Sequence, residues 1–348
     1  MQPNPILVEV LRGGTVESAH RGAIAIVDAS GAVHTALGDI TRPIFPRSAV
    51  KVLQALPLVA SGAAERWGLS HEELALACAS HGGEAVHAQT AASMLAKAGV
   101  DVDTLECGTH WPYFDGAIKA MAAAGQVPSA LHNNCSGKHS GFVCLGCLMA
   151  EDAGGDRRAF LRGYVKPGHP VMREVTAALQ AATGYDLAHT AVGTDGCSIP
   201  TYAVPLQNLA HAFARVATGV GLSSGHAHAA RRLRQAVAAA PFMVSGTGRF
   251  DTRVMQHFGE RVFCKVGAEG VHCAALPELG LGVAIKMDDG NNARACEVAQ
   301  AAVLQRLLAL DDAGAALLAS LSDMALKNWN GIEVGRLRAA QALTDGTA

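Results

Sequence analysis

The sequence predicts an α/β protein, an antiparallel sheet built from its N- and C-terminal segments with a helical middle region between them. Three observations carry this. Alternating apolar runs lie near the start, at 6–12 (ILVEVLR) and 19–38, the second broken by the turn signal Asp28-Ala-Ser-Gly31. Ala-rich segments of helical period then fill the middle, at 71–79, 85–98, 115–124 and 203–217. Strand character returns at 261–287, where RVFCKVGAEGVHCAAL reads as a second hairpin and GLGVAIKMDD as a third strand. A helix at about 291–310 and a short strand near 330–336 complete the order. With no internal repeat, low-complexity tract or linker, residues 1–348 are expected to form a single catalytic unit. Residues 1–45 and about 261–348 would form the sheet, and 46–260 would be mainly helical.

Half of the 348 residues are hydrophobic and 17% are charged, a composition that supports a large core. A net charge of -2 argues against a nucleic acid or an anionic membrane surface as partner. The start, MQPNPILVEV, lacks a basic region and a long apolar run, and no apolar stretch approaches the roughly 18 residues of a membrane span. A cytoplasmic protein with no membrane partner is the expectation. The nine cysteines are an odd, scattered set, expected to be mostly buried free thiols. Cys144-Leu-Gly-Cys147 has CxxC spacing but sits in the apolar run GFVCLGCLMA, which reads as a buried helix.

Five polar constellations interrupt the helical pattern. In FPRSAVKVLQALP, Pro46 opens a helix and Lys51 falls three residues after Ser48 on an otherwise apolar face. A serine hydroxyl needs a base to become a nucleophile, and a lysine serves only if burial or nearby cations lower its pKa. SxxK on an apolar helix meets both needs, although a lysine snorkelling from a helix edge gives the same pattern. In Cys78-Ala-Ser-His-Gly-Gly-Glu84 an apolar helix ends in Ser80, His81 and two glycines that let backbone approach a ligand. His132-Asn-Asn-Cys-Ser-Gly-Lys-His-Ser-Gly141 reads as a polar loop between helices, with Cys135, Lys138 and His139 placed for an anion or metal. Gly193-Thr-Asp-Gly-Cys-Ser198 is a tight turn whose Cys197 could join Cys135 on a soft metal such as zinc. Lys265 stands on a strand before a Gly-Ala-Glu-Gly turn, where it could be a second base or an electrostatic anchor. HExxH and Walker A signatures are absent.

Taken in order, PRSxxK, CASHxGE, HNNCSGKH, GxDGCSxP and KxGAEG resemble the rhizobial-type L-asparaginases of the asparaginase II family, over nearly the whole chain. The resemblance implies a β-lactamase/penicillin-binding-protein-like fold, shared with serine glutaminases. It also implies a hydrolase that releases ammonia from L-asparagine through an acyl-enzyme. Carried onto this chain, Ser48 is the nucleophile and Lys51 its base, and Ser80 and Lys265 form a second Ser-Lys pair. Arg47, His139 and Asp195 fall at substrate positions, with Asp195 suited to an α-ammonium and Arg47 to an α-carboxylate. Cys135, Lys138 and Cys197 match a zinc site completed by water, one ion per chain, supporting substrate binding rather than the chemistry. A homodimer is implied as well. The rival readings are a serine glutaminase, a β-lactamase-like acyl hydrolase and a zinc-binding protein without turnover.

Overall fold

Thr15–Asp28 is the long strand around which the sheet is organised. Its first half pairs with Ile6–Arg12 and its second half with Leu281–Met287, both antiparallel. Val33–Leu37 adds to the second half through the turn at Asp28, whose carboxylate accepts the backbone N–H groups of Ser30 and Ala32. The sheet runs Asp323–Lys327, Glu333–Ala339, Ile6–Arg12, Thr15–Asp28, Leu281–Met287, Val271–Leu276, Phe263–Val266. Every neighbouring pair is antiparallel. The structure is a computed structural model that describes residues 3–344.

The predicted class is the observed one, with local differences. The long strand begins at Thr15 rather than 19, because Gly13, at φ 57°, turns the chain straight back from Arg12. The terminal strand is Glu333–Ala339, and it pairs with Asp323–Lys327, a strand the apolar alternation was too short to announce. Within the C-terminal segment the helices Glu297–Leu307 and Asp312–Ser322 interrupt the sheet-forming run.

All six residues of Val271–Leu276 are buried, which requires cover on both faces of that strand. Leu206–Thr218 packs so closely on the sheet that a Cβ at Gly282 would lie 2.0 Å from the Ala210 carbonyl oxygen. Glycine is needed there to let helix and strand meet. In the helical region Lys51–Ala60 is the central element, buried from Lys51 through Val59 and packed by Ser136–Asp152, Pro170–Thr183 and Ser224–Ala239. A helix apolar on all sides is a core helix, so the one lysine in it is placed where water is absent. No helix is long and apolar enough to cross a membrane among the described residues.

Candidate active site

Between the sheet and the helical region lies a cavity of about 350 Å³. Its wall includes Ser48, Ser80, His81, Tyr113, Asn134, Ser245, Arg249, Glu269 and Asn292. Seven segments of the chain therefore converge on it.

Ser48 lies in the single 3-10 turn Arg47–Val50 that leads into Lys51–Ala60, with Arg47 held at φ 52°. A non-glycine residue with positive φ is sparsely populated and marks a conformation the surroundings enforce. The turn rests against the end of Phe263–Val266, and a Cβ on Gly267 would meet the Pro46 carbonyl oxygen at 2.7 Å. Lys51 is 1% exposed; its Nζ donates to the carbonyl oxygens of Ala79, at 2.5 Å, and Asn134, at 3.3 Å.

Ser80 follows His71–Ala77, and its N–H donates to the Val244 carbonyl. Its Oγ is buried without a hydrogen-bond partner, an arrangement that calls for an explanation such as a missing ligand. Next to it His81 is fully buried and kept well below its ordinary pKa, first by burial and then by His87 and Lys51. Its Nδ1 accepts the Gly83 N–H and its Nε2 faces Ser136 Oγ at 2.9 Å. Both ring positions are thus engaged by neutral groups.

Lys265 is fully buried on its strand, and its Nζ donates to the Val266 carbonyl at 2.7 Å. Burial holds it down to about 8, assisted by Lys51 and opposed by Asp251. Asp251 belongs to a network that the sequence motifs did not reveal. Its carboxylate accepts the Val266 N–H at 2.9 Å and Ser245 Oγ at 3.3 Å, and lies 2.9 Å from His272 Nε2. Burial would raise its pKa, but His272, Lys265 and the Val266 N–H outweigh that and bring it to about 2. A buried carboxylate so engaged fixes the backbone directly beyond Lys265. Asp251, Cys264 and His272 also bring ligand-type atoms within 4.8 Å of one another, but the direct His272–Asp251 contact takes up those atoms.

The polar segment at 132–141 departs from its expected form: the helix Ser136–Asp152 begins inside it, so Lys138 and His139 stand in a first helical turn rather than a loop. The helix starts early because Cys135 and Asn133 supply its N-terminal bonding, with Asn133 Oδ1 accepting the Cys135 N–H. Asp195–Ile199 is the expected tight turn, closing the hairpin of Val192–Thr194 and Pro200–Tyr202.

These two segments bring Cys135, Lys138 and Cys197 together, all buried. Lys138 Nζ is 3.0 Å from Cys197 Sγ. Cys197 holds Cys135 well below an ordinary thiol, against the cost of burial and with help from Lys51 and Lys138, while Cys135 and burial raise Cys197. A helix N-terminus favours such a thiolate. Burial alone would lower Lys138, but the Cys197 and Cys135 sulfurs and Asp195 raise it above the ordinary lysine value. Two adjacent sulfurs and an amine shielded from water form a donor set that fits a soft or borderline ion such as zinc.

Arg47 and Asp195 are ion-paired with each other, Arg47 Nη2 2.8 Å from Asp195 Oδ1. They join the Ser48 turn to the Cys197 turn and lie outside the cavity wall. His139 is buried, its Nδ1 2.6 Å from the Tyr164 hydroxyl and its Nε2 without a partner. Sequence reasoning missed Tyr113, Ser245, Arg249, Glu269 and Asn292 on the wall. Only Glu269 had a local signal, as part of the turn after Lys265.

A profile of the L-asparaginase II family matches residues 8–339. No curated protein matches the chain by sequence. Among solved structures, a β-lactamase from Mycobacterium bovis is similar at TM-score 0.38 and 14% identity, covering 82% of this chain and 94% of that one. The protein designated Mglu, in its native form, is similar at 0.37 and 20% identity, covering 84% of this chain and 66% of that one. Simvastatin synthase from Aspergillus terreus is similar at 0.32 and 14% identity, covering 76% and 86%.

Proposed function

Because this chain belongs to the L-asparaginase II family, we propose that it hydrolyses L-asparagine to L-aspartate and ammonia through an acyl-enzyme on Ser48. The observation that carries the reading is the cavity walled by Ser48 and Ser80, the serines whose motif partners Lys51 and Lys265 are both buried. In this reading Ser48 Oγ attacks the side-chain amide carbon and passes its proton to a neutral lysine amine. Lys51 is the partner by spacing. Lys265, held to about 8, has a larger neutral fraction at neutral pH than an ordinary lysine and is mostly neutral above pH 8. The C–N bond breaks as the proton is delivered to the leaving nitrogen, and ammonia departs. Water then attacks the acyl-serine ester, its proton returns through the same lysines, and L-aspartate and free Ser48 are regenerated. In this reading Ser80, on the cavity wall with a hydroxyl that no described protein group engages, relays protons between substrate and lysine.

Cys135, Lys138 and Cys197 would hold one zinc ion, which supplies positive charge in place of the protons on those donors. Arg47 and Asp195 then couple that centre to the Ser48 turn; as direct substrate contacts they would first have to part. A homodimer belongs to the same proposal, from the family resemblance.

The test is ammonia release by the purified protein from L-asparagine and L-glutamine, with a chromogenic cephalosporin alongside. Turnover of L-asparagine that Ser48→Ala lowers by on the order of 10⁴–10⁶ is expected. Preferential turnover of glutamine or the cephalosporin selects one of the rival acyl hydrolases. No turnover of any of them, with zinc bound, leaves the binding protein.

A further inference from the structure

A free amino acid amide brings one α-carboxylate and one α-ammonium to its site, and burying either without a partner is costly. The cavity wall carries one arginine, Arg249, and one carboxylate residue, Glu269, and no lysine or aspartate. They are not within ion-pair distance of each other, and neither side chain has an ion pair or hydrogen bond among the described residues. Arg47 and Asp195, by contrast, already satisfy one another.

Both are held in place by neighbours. The segment Ser245–Arg249 is pinned by Glu84, which accepts the Thr247 N–H at 2.9 Å and the Thr247 hydroxyl at 2.7 Å. Arg249 then stands directly before Phe250–Phe258, close enough for its charge to bear on Lys265, Tyr113 and Glu297. Glu269 occupies a turn at φ 56°, a conformation that side chains rarely adopt. Asn292 locks that turn, accepting the Gly270 N–H at 2.8 Å and donating to the Gly267 carbonyl at 3.2 Å. Gly290 leaves the room: a Cβ there would sit 2.8 Å from Glu269 Oε2. A strained backbone that carries an unpaired carboxylate into a cavity has a reason to persist if a cation arrives there.

We propose that Arg249 binds the α-carboxylate and Glu269 the α-ammonium of the substrate, making this cavity selective for a free α-amino acid over a peptide-bound or simple amide. The arginine fork suits a carboxylate bidentately, which a lysine does not reproduce. This rests on the amide-hydrolase reading above.

The experiment crosses variants with truncated substrates. L-Asparagine is compared with β-alaninamide, which lacks the α-carboxylate, and with succinamic acid, which lacks the α-ammonium. Arg249→Gln should compress the kcat/KM preference for asparagine over β-alaninamide by about 10- to 100-fold, the size of one charged hydrogen-bond partner. Glu269→Gln should compress the preference over succinamic acid similarly. Arg249→Lys should recover only part of the preference, and Tm should change little in all three. Wild-type turnover with both preferences unaltered in the variants overturns the assignment while leaving the hydrolase reading intact. L-Aspartate binding by calorimetry needs no turnover. If the wild-type protein releases no ammonia, weaker aspartate binding in both glutamine variants still supports the assignment, and unchanged or absent binding overturns it.

Discussion

Lys138 and Lys265 are both at most 2% exposed, yet their surroundings drive them in opposite directions. Around Lys138 two sulfurs and Asp195 overcome the cost of burial and hold the amine charged. Around Lys265 a single carboxylate, Asp251, does not overcome it, because Lys51 adds to the opposing side. Burial therefore does not decide a lysine's charge; the balance of partners does. One region holds its lysine charged and the other lowers its lysine to about 8. In the proposed reaction the second is the one that supplies a neutral amine.

The sharpest way to break that contrast is to make the second lysine permanently cationic. Lys265→Arg is expected to lower kcat by on the order of 10⁴, close to the loss in Lys265→Ala, since a guanidinium stays protonated. A variant keeping a tenth of wild-type activity would end the proton-transfer role.

Next comes pH. The folded-state pKa of about 8 lies below the ordinary lysine value, so Lys265 is charged below that pH and neutral above it. A base must be neutral, so kcat/KM should climb about tenfold per unit up to roughly pH 8 and then level. A profile flat from pH 6 to 9 would contradict this.

The other region should respond more mildly in rate. If the proposed zinc ion orders the turns beside the cavity rather than taking part in the attack, Cys135→Ser is expected to reduce bound zinc, by elemental analysis, and to raise KM about 10-fold with kcat within a few-fold. A kcat loss of several orders of magnitude at constant KM would place zinc in the chemistry.

The smallest effect on rate is expected from Asp251→Asn. Removing a charge that raises the Lys265 pKa should move the alkaline-rising limb to lower pH. Its larger cost falls on stability, about 3 kcal/mol by denaturant titration, since His272 and Ser245 lose a buried anionic partner. An unmoved limb would mean the two groups do not interact.

Much of this was legible in local pattern. The period-2 runs and the Asp28 and Gly267–Gly270 turns announced the central strands, because side-chain alternation and turn chemistry act between near neighbours. The same locality explains why Ser48, Lys51, Ser80 and Lys265 stand out as candidates: each sits in a short motif beside an apolar run that had to be buried. Locality also explains the errors. The polar run 132–141 looked like a loop, because its polar side chains hid a helical start that Asn133 and Cys135 bond and that buries Lys138 and His139 against other segments.

What the sequence by itself determined was the order of strands and helices and the identity of the serines and lysines available for chemistry. Only the tertiary structure decided which of those groups are charged and which charges are free. Cys197 reaches Lys138 across 59 residues, and Asp195 reaches Arg47 across 148, so the first lysine is cationic and the first arginine already satisfied. Arg249 and Glu269 are left unpaired at the cavity for the same reason. Desolvation and Coulomb interaction depend on distance in space, and no spacing along the chain encodes it.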